Sequence, residues 1–494
     1  MITLSKSKYL VGLQCPKRLW LEANRRDLLP PPSPARERVF SQGHEVGRLA
    51  RERFPGGVLI SEDPLRWKAA LGETVEALTR EERILFEPCF FHDDTIARAD
   101  VLSRNDDGSF DVYEVKSNTG SKPEHILDLA VQTYVYEGAG LSIRRTFLMH
   151  LNSDCRYPDL SDLFAYADLT DPVRQHLSEV AANLAALRAV LGDSKEPEMR
   201  LGSRCAKPYE CPRWNYCSKL WQLPDPSVFD IPHLSAEKRD AFIEQGILAL
   251  EELPDDAELG PQGERFLRLY RAGTKEIDVE GIHTWLDHLA FPIHFLDFET
   301  DAPAIPRLEG LGPFGSIPFQ FSLHILHEDG RLEEAPGFLH ESLSDPRPVI
   351  AEALLTQIGP SGSIVAYNAA FEKGVIGKLA GYLPESAGLL LRLQNRFADL
   401  LDIFRKYYID PAFKGSNSIK RVLPVICPEL SYGALEVGNG EDAQVAWAEL
   451  ITTDDPERRA GLADALKAYC GLDTLAMVRL YEYLKDLVGR TARS

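Results

Sequence analysis

The run FPIHFLDFET, residues 291–300, constrains the chain more than any other stretch. Its apolar residues read as a strand, and a buried strand usually ends in turn residues. This one ends in acids, Asp297 and Glu299, with Asp301 just beyond. Residues two apart on a strand share a face, so the two carboxylates stand side by side. The pair is either a polar strand end at the surface or half of a metal-binding site. An isolated Asp-x-Glu is too common to decide, and the decision falls to the rest of the chain.

A length of 494 residues leaves room for two to four domains with sizeable cores. With 44% hydrophobic and 26% charged residues, the composition is that of a globular chain. No apolar stretch reaches transmembrane length, so no membrane helix is expected. The N-terminus MITLSKSKYLVGLQCPKRLW lacks a signal-peptide core, and the expectation is a cytoplasmic protein. A formal net charge of −20 argues against a uniformly basic surface, not against a nucleic-acid partner. Basic stretches persist at 17–26 and 268–275, and metal-dependent nucleases use carboxylates to hold the cations that then meet phosphate.

Residues 1–200 alternate helical stretches with strand-like runs, and 201–224 form a Cys-, Pro- and aromatic-rich loop region. Residues 225–290 read as short helices with turn punctuation. Residues 291–494 begin in strands and finish in long amphipathic helices. The expected architecture is multidomain α/β, with domains at 1–224 and 291–494 and a helical linker at 225–290.

In IARADVLSRNDDGSFDVYEVKS one strand carries Asp100, an Asp-Asp-Gly turn follows, and the return strand presents Glu114 and Lys116 on one face. Two carboxylates can hold magnesium or manganese, while the lysine orients water or offsets charge on a scissile phosphate. Glu87, ending the run RILFEP, is a further candidate ligand. Gln132 and Tyr136, four apart in DLAVQTYVYE, share a helical face. Glu-x-Lys alone reads as a surface ion pair; the added Asp100 and Gln-x3-Tyr favour a site. The ensemble resembles the PD-(D/E)XK nucleases of the RecB type. That resemblance implies a restriction-endonuclease-like domain in which Asp100, Glu114 and Lys116 are metal-binding and catalytic, and Gln132 and Tyr136 contact DNA or the active site. Where RecB-type nucleases often place a histidine ligand, G-x-x-x-H, this chain has Gly47 in GHEVG; His44, one turn earlier, is a weak substitute.

Three of the eight cysteines crowd into CAKPYECPRWNYC, as Cys205, Cys211 and Cys217. In a cytosolic chain such crowding favours a metal or cluster over disulfides. With Cys15 in LVGLQCPKRLW, the pattern resembles the iron–sulfur members of the same superfamily, among them the AddB nuclease domain and CRISPR-associated exonucleases. The resemblance implies that Cys15, Cys205, Cys211 and Cys217 hold a [4Fe–4S] cluster, although C-x5-C-x5-C departs from the tighter C-x2-C of relatives. Four-thiolate zinc is the chemical alternative.

Downstream of Asp297 and Glu299, SIVAYNAAFEKGVI reads as an apolar strand, then Asn368, then Glu372 at a helix start. Later, AYCGLDTLAMVRLY puts Tyr469 and Asp473 one helical turn apart. This order resembles the DEDD exonucleases on the RNase H-like fold. The tyrosine subgroup is the match, since Ala468 stands where the histidine subgroup needs its histidine. The resemblance implies that Asp297, Glu299, Glu372 and Asp473 bind two magnesium or manganese ions and that Tyr469 positions the attacking water. Glu372 stands where that family has aspartate, and Asp399 is a secondary acid beyond the core set. The stretch DAFIEQGILALEELP resembles helix-hairpin modules that grip nucleic-acid backbone.

As a whole the chain resembles a bacterial family of RecB-type nucleases fused to a C-terminal domain of unknown function with an RNase H-like core. The implied function is metal-dependent hydrolysis of phosphodiester bonds at DNA ends or in single strands, with RNA a second candidate partner, in DNA repair or defence against foreign nucleic acid. The alternative is a redox-responsive iron–sulfur adaptor that binds nucleic acid with one or both sites inactive.

Overall fold

The computed structural model describes residues 2–29, 31–61, 63 and 66–491. It is a multidomain α/β structure with several sheets, and the chain divides into two compact units. The first comprises residues 1–223 together with 303–314; the second comprises 224–302 and 315–494. The helical segment 225–290 thus falls within the second unit. No described helix is long and apolar enough to cross a membrane.

In the first unit a mixed sheet runs in the order Val58–Leu59, Ile84–Phe86, Val101–Arg104, Phe110–Lys116, Ile143–Leu151, Phe164–Asp168. The hairpin read from the sequence forms, with Leu102 opposite Val112, and Gly108 takes the left-handed φ of 82° that the turn requires. Asp100 lies just before the first strand, which starts at Val101, and not inside it. Phe110–Lys116 runs parallel to Ile143–Leu151, and parallel neighbours need a crossover. The Pro123–Gly138 helix supplies it, burying Leu129 and Val135 with Val112 and Leu148 of the sheet and Leu184 of the Thr170–Gly192 helix. Residues 303–314 complete this unit. Ala304 is buried with Met149 and Leu163, and the Tyr157 N–H donates to the Leu311 carbonyl at 2.9 Å.

The second unit is built on a sheet in the order Leu332–Glu334, Ile317–Leu326, Ile293–Asp301, Ser363–Ala366, Phe397–Asp399. Its central strand is antiparallel to Ile317–Leu326 and parallel to Ser363–Ala366, and its alternate residues feed two different cores. Ile293 and Phe295 pack with Met477, Leu480 and Tyr481 of the Pro456–Thr491 helix. Leu296 and Phe298 face the other way, onto Ile350, Leu354 and Leu379. The same period of two puts Asp297 and Glu299 on the side of the long helix. In the helical segment, Ala236–Glu244 and Gly260–Ala272 share a core that includes Ile243, Leu250 and Phe266. DAFIEQGILALEELP is one helix, a turn at Gly246 (φ 84°) and a short 3-10 segment, Leu250–Glu252. Pro254 closes this stretch, and the next helix of the segment is Gly260–Ala272.

Candidate functional site

In the first unit Glu114, 2% exposed, is the hub. It receives Lys116 Nζ at 2.6 Å, Gln132 Nε2 at 2.7 Å and Lys6 Nζ at 2.9 Å. The Tyr136 hydroxyl donates to Gln132 Oε1 at 3.2 Å, so the helical face read from the sequence points at this carboxylate through Gln132. Two further residues were missed. Asp128 binds Lys116 at 2.9 Å and Lys6 at 3.5 Å, giving two carboxylates and two ammonium groups in one buried knot. Asp128 precedes Gln132 by one helical turn and was within reach of the same periodicity. Lys6 comes from a distant segment that carries no local signal.

Asp100 adjoins this knot, its Oδ2 accepting from the Val115 N–H at 2.5 Å. Burial, then the Glu114 charge, pushes its carboxyl up to about 8. Burial opposes ionisation of Asp128 too, but Lys6 and Lys116 outweigh it and hold that carboxyl well below the usual range. Glu87 follows its strand in a left-handed conformation (φ 54°), and its N–H donates to the Asp100 carbonyl at 3.3 Å. Glu87, Asp100, His44, Gly47 and Arg51 line a cavity of about 660 Å³, so the early helix Pro34–Arg51 does face the acids.

In the second unit one carboxylate oxygen from each of Asp297, Glu299 and Asp473 lies within 4.8 Å of the others, the one such group of His, Cys, Asp or Glu among the described residues. Burial, then Asp473, raises Asp297 well above its ordinary value and takes Glu299 to about 8. Asp473 is pushed by burial to about 6, restrained by a hydrogen bond from Tyr432. Glu372, in the first turn of the Ala370–Tyr382 helix, is 2% exposed. Its Oε2 has no hydrogen-bond partner among the described residues, and burial takes it to about 8. Its charge acts on Asp297, yet it stands outside the group of three. Asp399 accepts from the backbone N–H groups of Asn368 (2.9 Å) and Leu401 (3.0 Å); it holds the turn that presents Glu372.

Tyr469, one helical turn before Asp473 on the Pro456–Thr491 helix, helps to hold that carboxyl in its charged form. Sequence reasoning missed three neighbours. The Tyr432 hydroxyl donates to Asp473 Oδ1 at 2.6 Å. Lys420 Nζ lies 5.6 Å and 5.9 Å from the ring centres of Tyr432 and Tyr469 and draws Glu299 and Asp473 toward their charged forms. Buried Cys470 places its Sγ 3.6 Å from Asp297 Oδ2.

Cys15, between the helices Lys6–Gln14 and Pro16–Asn24, lines one small cavity with Cys205, Cys211 and Cys217. None is in a disulfide. The Gln14 amide ties the two chain segments together by donating to the carbonyls of Arg204 (2.9 Å) and Tyr209 (2.6 Å).

Comparison with known proteins places residues 294–418 in similarity to a family described as "Domain of unknown function (DUF2779)". This match covers most of the central sheet and Glu372 and stops before Tyr432 and Asp473. The chain is 29% identical over 215 residues to "Uncharacterized protein MG366 homolog" of Mycoplasma pneumoniae, covering 39% of this chain and 32% of the relative. It is 27% identical over 247 residues to "Uncharacterized protein UU173" of Ureaplasma parvum, covering 45% and 35%. The chain thus spans about a third of the length of the curated relatives it matches. A solved structure described as "Crystal structure of SSO0001" aligns at 15% identity and a TM-score of 0.23, over 44% of this chain and 86% of that one.

Proposed function

We propose that the chain is a metal-dependent nuclease acting on DNA ends or single strands, with a PD-(D/E)XK-type site in the first unit and an RNase H-like, DEDD-type site in the second. One observation carries the reading: Asp297, Glu299 and Asp473, from a central strand and a helix far away in sequence, meet within 4.8 Å in a half-buried place. Carboxylates so close and so poorly solvated repel one another unless protons or cations intervene. The donor set fits hard divalent cations such as magnesium or manganese, which prefer carboxylate oxygen, and the orphaned oxygen of Glu372 supplies a further donor. Cations held there would activate water and neutralise charge on phosphate.

The chain's own residues do the rest. Tyr432 fixes the orientation of Asp473 by its hydrogen bond. Tyr469 would orient water, and Lys420, near its ring, would offer positive charge to the same acids. In the first unit Lys116, held between Glu114 and Asp128, is placed to offset phosphate charge, with Glu87 and Asp100 at the cavity wall as metal donors.

The four cysteines line one small cavity, which supports a thiolate-held centre; we read it as an iron–sulfur cluster, with four-thiolate zinc as the chemical alternative. The test uses anaerobically prepared protein with manganese on single-stranded DNA and RNA labelled at either end, comparing wild type, Lys116→Ala and Asp297→Ala. Each substitution is expected to remove a distinct activity. A wild type that binds either polymer but cuts neither would establish the adaptor alternative instead.

A further inference from the structure

The cavity lined by the four cysteines also holds a buried cation that has no hydrogen-bond partner among the described residues. Arg213 is 1% exposed and lines the cavity together with the cysteines. None of its three guanidinium nitrogens has a hydrogen-bond partner among the described residues. The acids that act on it through space, Glu22 and Asp27, each already bind another arginine: Arg18 donates to Glu22 at 2.8 Å, and Arg25 to Asp27 at 2.8 Å. Lys17 on the same wall is likewise matched, by Glu196 at 2.7 Å. Among the described residues Arg213 is therefore a buried charge with no acid hydrogen-bonded to it.

A guanidinium stays protonated in proteins and carries five donors. Burying one without an anion costs several kcal/mol, and four neutral thiols supply no anion. Four thiolates around a metal centre do, because they outweigh a doubly charged zinc ion or cluster core and leave a net dianion. The placement is local: Arg213 lies two residues after Cys211 and immediately precedes the short helix Trp214–Leu220 that carries Cys217.

We propose that Arg213 is the counter-charge of a net-anionic, thiolate-held metal centre in this cavity. The inference rests on reading the four cysteines as a metal–sulfur site, and adds the residue that sets the charge balance of the centre. A buried positive charge favours the more reduced, more negative form of a cluster, so Arg213 raises its reduction potential.

The experiment takes full-length protein prepared without oxygen, as wild type, Arg213→Lys and Arg213→Leu. Iron, acid-labile sulfide and zinc are measured, midpoint potentials are read by dithionite titration, and thermal melts are recorded before and after chelator removes the metal. Wild type is expected to hold iron and sulfide, and Arg213→Lys to keep its potential. Arg213→Leu is expected to lower the potential by at least tenfold in the one-electron equilibrium, about 59 mV, or to lose the cluster. In stripped protein the order reverses, and Arg213→Leu melts above wild type because an uncompensated buried charge is gone. A leucine variant with full iron, an unchanged potential and no advantage when stripped overturns the role of Arg213. If both variants fail to hold the cluster, the stripped melts decide alone: no gain for leucine overturns the proposal. Wild type holding zinc without iron overturns the iron–sulfur reading only, and Arg213 is then judged by the same melts with zinc in place.

Discussion

The acid group of the second unit makes a prediction about stability that needs no substrate. Glu299 titrates at about 8 in the folded protein against an ordinary 4.5, because of burial and the Asp473 charge. With the folded-state value above the unfolded one, the folded form holds its proton more tightly. Stability is therefore intact below pH 4.5, falls as the pH rises from there to about 8, and levels off above. At about 1.4 kcal/mol per tenfold in acidity, the full span amounts to about 5 kcal/mol in metal-free protein. Glu299→Gln keeps the shape and removes the charge. Part of the gain is lost because the amide brings donors that need partners and because Asp297 and Asp473 still repel, leaving about 2 kcal/mol. In a unit of this size that raises the melting temperature by about 4–8 °C. The assay is a melt in EDTA at pH 8 and at pH 5. The variant should exceed wild type at pH 8 and match it at pH 5. Manganese should reverse the order at pH 8, since ligand at a hundred times its dissociation constant stabilises wild type by about 2.7 kcal/mol and finds one donor fewer in the variant. If Glu299→Gln in EDTA at pH 8 melts no higher than wild type, the repulsion argument is wrong.

Three other substitutions probe separate parts of the molecule. Lys6→Met leaves Glu114 and Asp128 with one ammonium between them and should lower the stability of the first unit by about 3–5 kcal/mol in urea titrations; a loss below 1 kcal/mol would mean that Lys116 alone balances both acids. Tyr432→Phe removes the 2.6 Å hydrogen bond to Asp473, a charged-acceptor bond of about 1.5–3 kcal/mol, so the acid limb of manganese-dependent activity should move up by about one to two pH units. An unmoved limb would separate Asp473 from that activity. Trp447→Ala deletes a ring stacked on Phe319 at 4.5 Å and an indole N–H bound to the His340 carbonyl at 2.7 Å; a loss of about 3–5 kcal/mol is expected, and a change under 1 kcal/mol would deny that this stack anchors the Gly440–Leu450 helix.

The parts of the sites that lie within one element were legible because strand and helix periods are short-range. Asp297 and Glu299 share a strand face, Tyr469 and Asp473 a helical turn, Gln132 and Tyr136 another. The α/β class followed from the same periodicities. What could not be read is the tertiary approach of residues whose own surroundings are ordinary. Lys6 reaches Glu114 across 108 positions from SKSKYL, a segment with no acid or aromatic pattern to mark it. Tyr432 and Lys420 arrive from ELSYGAL and SNSIKRVL, short pieces whose meaning comes only from the helix they pack beside. Strand order escaped for the same reason: Ile293 pairs with Ser363, a partner chosen by the fold and not by neighbouring residues. Nothing in CAKPYECPRWNYC marks Arg213; only its burial sets it apart.

The twelve residues 303–314 have a consequence for inheritance. Because Ala304 and Leu311 complete the first unit, the chain enters that unit a second time, in the middle of the sequence that builds the other. A gene broken at codon 224 would yield a front half missing part of its own interior, and a back half carrying a strip of someone else's. Separating the two halves therefore requires repair of the one that loses residues 303–314.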